Sequence, residues 1–107
     1  MTSDVRRRSA FRMRIRPGCE DAYVDAHAAV WPELLAALKA AGVRNYTIFR
    51  DGLDVFGYFE GDDLDAADAH MAGTDVNRRW QEAMAPLIDA EITGVAPPSL
   101  TEIFRLD

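Results

Sequence analysis

The chain has one cysteine, two histidines and no apolar run near the ~20 residues of a membrane span. Each shortage excludes something. Cys19 cannot close an internal disulfide and has no metal-ligand spacing around it, so it reads as a residue near a helix start. Two histidines without a Cys/His cluster argue against a protein-bound zinc or iron site. Positive charge is also short. A formal net charge of −6 offers no basic face for a nucleic acid. The single basic cluster, Arg6-Arg7-Arg8, reads as a solvated tail leading into the first strand. The N-terminus "MTSDVRRRSA" carries charge but no apolar core, so no secretory signal is visible and a cytoplasmic location is expected.

What is present describes an ordinary soluble domain. The chain has 107 residues, 49% hydrophobic and 28% charged, enough for one hydrophobic core. The expected organisation is a flexible tail over 1–8 and a single domain over 9–107.

"SAFRMRI" alternates Phe11, Met13 and Ile15 with arginines, the period of a half-buried strand. "PG" at 17–18 ends it. From Glu20 to Ala41 the apolar positions take helical spacing, and Gly42 is a natural stop. "VRNYTIF" and "LDVFGYFE" are β-rich runs joined through Asp51-Gly52, a hairpin signal. "DDLDAADAHMAG" reads as a helix entered through acidic residues. Thr74 or Asp75 can cap a further helical stretch, "VNRRWQEAMAPLI". "AEITGVAPPS" reads as a loop and "LTEIFRL" (100–106) as a last strand. The order β-α-β-β-α-β is the ferredoxin-like arrangement of an α+β fold, with the helices covering one face of a four-stranded antiparallel sheet. The strands are apolar on both sides, with Phe56 and Tyr58 against Val55 and Phe59. A homodimer closing a dimeric α/β barrel is therefore expected.

The first helix carries Tyr23, His27 and Trp31 four residues apart. With Tyr23 at zero on a helical wheel, His27 falls at about 40°, Leu34 at about 20° and Trp31 at about 80°. Tyr23 and His27 thus point at the sheet, while Asp21, Asp25, Glu33 and Lys39 face solvent. Burying an unpaired imidazole or phenol costs roughly 1–3 kcal/mol, so each needs a partner or a wet cavity. Periodicity alone favours a core histidine bonded to a backbone carbonyl. Tyr46 beside Asn45, and Trp80 with Gln81, add polar and aromatic groups facing the same space, a lining suited to a small polyol. Pro32 should kink the helix or restart it nearby. His70 lies in a polar stretch and reads as a surface residue.

These residues resemble the L-rhamnose mutarotase family. The carriers are Tyr23, His27, Trp31, Pro32, Glu33 and Leu34; "GVRNYTI" with Asn45 and Tyr46; and "TDVNRRW" with Thr74, Asp75 and Trp80. The likeness covers roughly 9–106. It implies a dimeric ferredoxin-like protein, free of cofactor and metal, that interconverts the α and β anomers of a free pyranose. Carried over by position, His27 is the catalytic proton donor, and Tyr23 and Tyr46 bind sugar, with Tyr23 also close to the chemistry. Trp80 is the first of two adjacent substrate-binding tryptophans. The second is replaced here by Gln81, and the family's "NPDNSP"-like segment is absent. Both departures bear on which sugar is taken.

The residue chemistry suits that reaction class. Histidine, with a reference pKa of about 6.5, can act as acid or base near neutrality, while tyrosine near ~10 stays protonated. General acid–base help of this kind contributes about 10²–10⁴-fold. Two other readings fit the same elements: a small dimeric α/β-barrel oxygenase or cyclase acting on an aromatic substrate, and a non-catalytic ligand-binding module with Tyr23 and His27 as core.

Overall fold

The computed structural model describes residues 5–90 and 99–106. Strand β1 (Arg8–Arg14) leads to two short helices, α1 (Glu20–Ala28) and α2 (Pro32–Ala40). The hairpin of β2 (Arg44–Asp51) and β3 (Asp54–Glu60) follows, then α3 (Leu64–Ala72), α4 (Asp75–Met84) and a 3₁₀ turn over Ala85–Leu87. β3 is central and pairs antiparallel with both neighbours, giving the order β1-β3-β2.

Local chemistry explains most boundaries. Gly52 takes a positive φ in the tight turn between β2 and β3. Asp63 caps α3 by accepting from the Ala66 amide at 3.1 Å, and Thr74 caps α4 by accepting from the Asn77 amide at 3.3 Å. Of the two outcomes expected at Pro32, a kink or a restart, the structure has the restart, so the helical stretch is two helices. Pro32 occupies the first position of α2, where its missing N–H costs nothing, and Trp31 precedes it with extended backbone at ψ 129°. Trp31 therefore sits outside α1, and a continuous-helix angle does not describe it.

Residues 6–8, expected within a tail, make contacts with the fold. β1 starts at Arg8, the Arg7 carbonyl accepts from Gly61 at 3.1 Å, and the Arg6 carbonyl accepts from Leu64 at 2.8 Å. The Arg6 side chain pairs with Asp65 and Asp68, and that of Arg8 with Glu102. Arg6 and Arg8 are thus held by acidic neighbours and not simply solvated.

The expected strand over 100–106 does not form. Ser99 makes an isolated bridge to Phe11, and the Leu100 amide donates to Ala10 at 2.8 Å. Beyond it no pairing continues, and Ile103, Phe104 and Leu106 are 93, 79 and 84% exposed. A strand pattern specifies an extended backbone, not a partner, and among the described residues this segment's backbone pairing ends at Leu100. The described sheet therefore has three strands. The segment read as a loop, residues 91–98, lies outside the described residues.

The helices cover one sheet face. Leu34, Met71, Val76 and Trp80 form a core among α2, α3 and α4, and Ile15, Tyr23 and Val55 a second one beneath α1. Neither cluster fills the space above the middle of the sheet. Gly57, central on β3, is part of the reason. A side chain there would overlap the Phe11 ring, which lies across it from the paired position on β1. The ring is the floor of that space.

Candidate active site

His27 stands in the last turn of α1, just before the break at Pro32. Its Nδ1 lies 2.9 Å from the Tyr23 carbonyl oxygen. A carbonyl only accepts, so Nδ1 carries the hydrogen and Nε2 is the nitrogen available for proton transfer. The ring is gripped on two sides. Tyr23 stacks on it at 4.3 Å, and Trp80 meets it edge-on at 5.4 Å.

Trp80 is held in turn. Trp31 packs against it at 5.1 Å and 90°, and the Arg79 guanidinium lies 5.7 Å over the Trp31 ring. Arg79 donates to Glu33 at 3.0 Å and to Asp75 at 2.8 Å, joining the N-termini of α2 and α4. Hydrogen bonds from Arg78 and Arg79 hold the Asp75 carboxyl below the usual range. Glu33 and Asp75, residues of the quoted motifs, thus hold the Arg79 guanidinium that lies over Trp31.

In front of His27 opens a cavity of about 380 Å³, with walls formed by His27, Leu34, Tyr46, Asn77, Trp80 and Gln81. That volume falls in the range of small-molecule sites, ~300–1,000 Å³. Four elements meet there: the end of α1, one face of α2, strand β2 and one face of α4. Asn77, Trp80 and Gln81 share that face because positions three and four apart align on a helix. Asn77 was not anticipated, although its i, i+3, i+4 spacing to Trp80 and Gln81 is legible.

Tyr46 reaches the cavity beside a bulge in β2. Asn45 and Tyr46 together oppose the single residue between Tyr58 and Glu60 on β3. Asn45 sits at φ 53°, a conformation asparagine tolerates, and its side-chain amide donates to Glu60 at 2.7 Å. Tyr46 is 42% exposed, and desolvation of its hydroxyl, with Tyr23 adding to it, shifts the phenol upward from its usual range, so it is a donor near neutrality.

Four of the five expected site residues, His27, Tyr46, Trp80 and Gln81, line one cavity. Tyr23 lies behind His27. Its hydroxyl donates to the Met13 sulfur at 3.7 Å, and burial pushes its pKa up to about 12. His70, as expected, is exposed. Among the described residues, no group of three or more His, Cys, Asp or Glu side chains is placed to hold a metal ion.

The model of a family described as L-rhamnose mutarotase matches residues 8–106. The chain belongs to the L-rhamnose mutarotase family. An L-rhamnose mutarotase of Oceanobacillus iheyensis is 36% identical over 105 residues, covering 94% of this chain and 99% of that protein. One of Burkholderia orbicola is 47% identical over 81 residues, covering 74% and 77%. The crystal structure of an L-rhamnose mutarotase from Formosa agariphila superposes with a TM-score of 0.76 at 28% identity, covering 95% of this chain and all of that one. The reaction of the family is interconversion of anomers, so the protein is an isomerase, and the oxygenase, cyclase and pure binding readings fall away.

Proposed function

We propose that the cavity takes a free pyranose, L-rhamnose or a closely related sugar, and that His27 supplies the acid–base chemistry. The observation that carries this is the His27 ring itself: Nδ1 is tied to the Tyr23 carbonyl, and the side chain forms part of the cavity wall. As imidazolium, Nε2 protonates the ring oxygen while the anomeric hydroxyl gives its proton to water. The bond from the anomeric carbon to the ring oxygen breaks, leaving an open-chain aldehyde and a hydroxyl. Rotation about the adjacent carbon–carbon bond presents the other carbonyl face. Ring closure then reverses both proton transfers, so protons and electrons balance. Trp80 offers a ring edge or face to the sugar's C–H surface, and Tyr46, Asn77 and Gln81 offer hydrogen bonds. Tyr23 positions the imidazole.

The reading extends to the assembly. The order β1-β3-β2 leaves the β1 edge where a ferredoxin-like sheet places its fourth strand. The face away from the helices shows Phe49 and Phe56, paired across strands and 65 and 38% exposed. A second copy covering that face and the apolar segment 100–106 would complete a dimeric α/β barrel. The proposed location is the cytoplasm, where the free Cys19 stays reduced; no described helix is long and apolar enough to cross a membrane.

Saturation transfer between anomeric proton signals tests the activity. The protein should speed exchange of L-rhamnose, and His27→Ala should lose about 10²–10⁴-fold while keeping its circular dichroism spectrum. Undiminished exchange in that variant would remove His27 from the mechanism.

A further inference from the structure

We propose that a second compartment beside the His27 cavity is a subsite for a substituent on the sugar, so that the enzyme also acts on the reducing pyranose of a disaccharide. The inference rests on the mutarotase reading and adds a substrate class to it. A cavity of about 350 Å³ lies between the sheet and α3, with Arg6, Ser9, Phe59, Asp68 and Ala72 in its walls. It shares Leu38, Tyr46, Asn77 and Gln81 with the first. Those four side chains are the partition. Either space alone reaches the size of a small-ligand site, so the pair exceeds what one monosaccharide needs.

The lining has the chemistry of a sugar site. Tyr46 and Phe59 stack at 5.1 Å and 24°, and Phe11 meets Tyr46 edge-on at 6.3 Å and 76°. Such rings present flat apolar faces to sugar C–H groups. Polar groups stand at the other wall. Arg6 donates to Ser9 at 3.0 Å and pairs with Asp68, which fixes donors and an acceptor beside one another. At the partition, Gln81 and Asn77 share a single long contact of 3.5 Å, so most of their carboxamide hydrogen-bonding capacity is open.

Anomer exchange measured on two probes tests the proposal: L-rhamnose, and disaccharides in which its O-3 or O-4 carries a second hexose. The wild-type protein should accelerate both. Ala72→Trp fills the second compartment from the exposed end of α3. It should leave L-rhamnose exchange unchanged and slow the disaccharide about tenfold or more. Ala72→Leu, a smaller change, should act in the same direction and serves if the tryptophan variant loses its circular dichroism spectrum. Acceleration of the monosaccharide alone, or an unchanged ratio of the two rates in the Ala72 variants, would overturn the subsite. Acceleration of neither sugar would overturn the mutarotase reading, and the subsite with it.

Discussion

At His27, one hydrogen bond decides two things. The bond from Nδ1 to the Tyr23 carbonyl fixes the tautomer, and it turns the ring between Tyr23 and Trp80. The angular count along the first helix brings out the inward direction of Tyr23 and His27, because three residues per face suffice to set a stripe. It does not bring out which nitrogen is free, since that depends on one side chain reaching a carbonyl four residues back. Nor does it show that Tyr23 stays out of the cavity wall: burial of a phenol against Met13 leaves no trace in spacing. That burial has a consequence for stability. The unfolded phenol loses its proton near pH ~10, whereas in the folded protein it holds on to about 12. Between those values the unfolded state binds fewer protons, so stability falls as pH rises through this window and is intact below it. Two units correspond to roughly 3 kcal/mol at most. Denaturant titrations from pH 9 to 12 should show a shallower decline for Tyr23→Phe than for the parent; equal declines would assign the effect to other groups.

Among the elements, the hairpin and the helix break were legible because their causes are local. Asp51-Gly52 makes a turn wherever it falls between strands, and Pro32 interrupts any helix it enters. The β2 bulge was not legible: its sign is one asparagine, Asn45, whose positive φ has meaning only beside the register of β3. Gly57 belongs with the bulge, since both shape the sheet under the cavities. A methyl at 57 would drive the Phe11 ring upward into the second compartment. Gly57→Ala should therefore cost about 1–3 kcal/mol, as overpacking does, lowering the melting midpoint by at least ~4 °C in a thermal scan. An unchanged midpoint would mean that Phe11 has another rotamer available at no cost.

On the scale of the whole molecule, the apolar character of both sheet faces was readable from strand alternation, and the need for a cover followed. The arrangement of 100–106 was not, because the pattern of a strand names no neighbour, and among the described residues backbone pairing stops at Leu100. Light scattering at micromolar concentration should give twice the mass of one chain. Phe49→Asp, which puts a charge on the exposed middle of the uncovered face, should shift the population to single chains. A wild-type mass of one chain would remove the barrel.

The break at Pro32 reaches beyond geometry. It leaves α1 and α2 at nine residues each, lengths at which a helix is marginal by itself and relies on its packing. α1 can thus open to water without unravelling α2, at a free energy well below that of global unfolding. If the proposed sugar touches His27 on α1 and Asn77 and Gln81 on α4 at once, it ties the two helices together and raises that opening free energy by mass action. The amides of residues 20–28 then trade hydrogen for deuterium more slowly, and their exchange rate becomes a gauge of how full the site is.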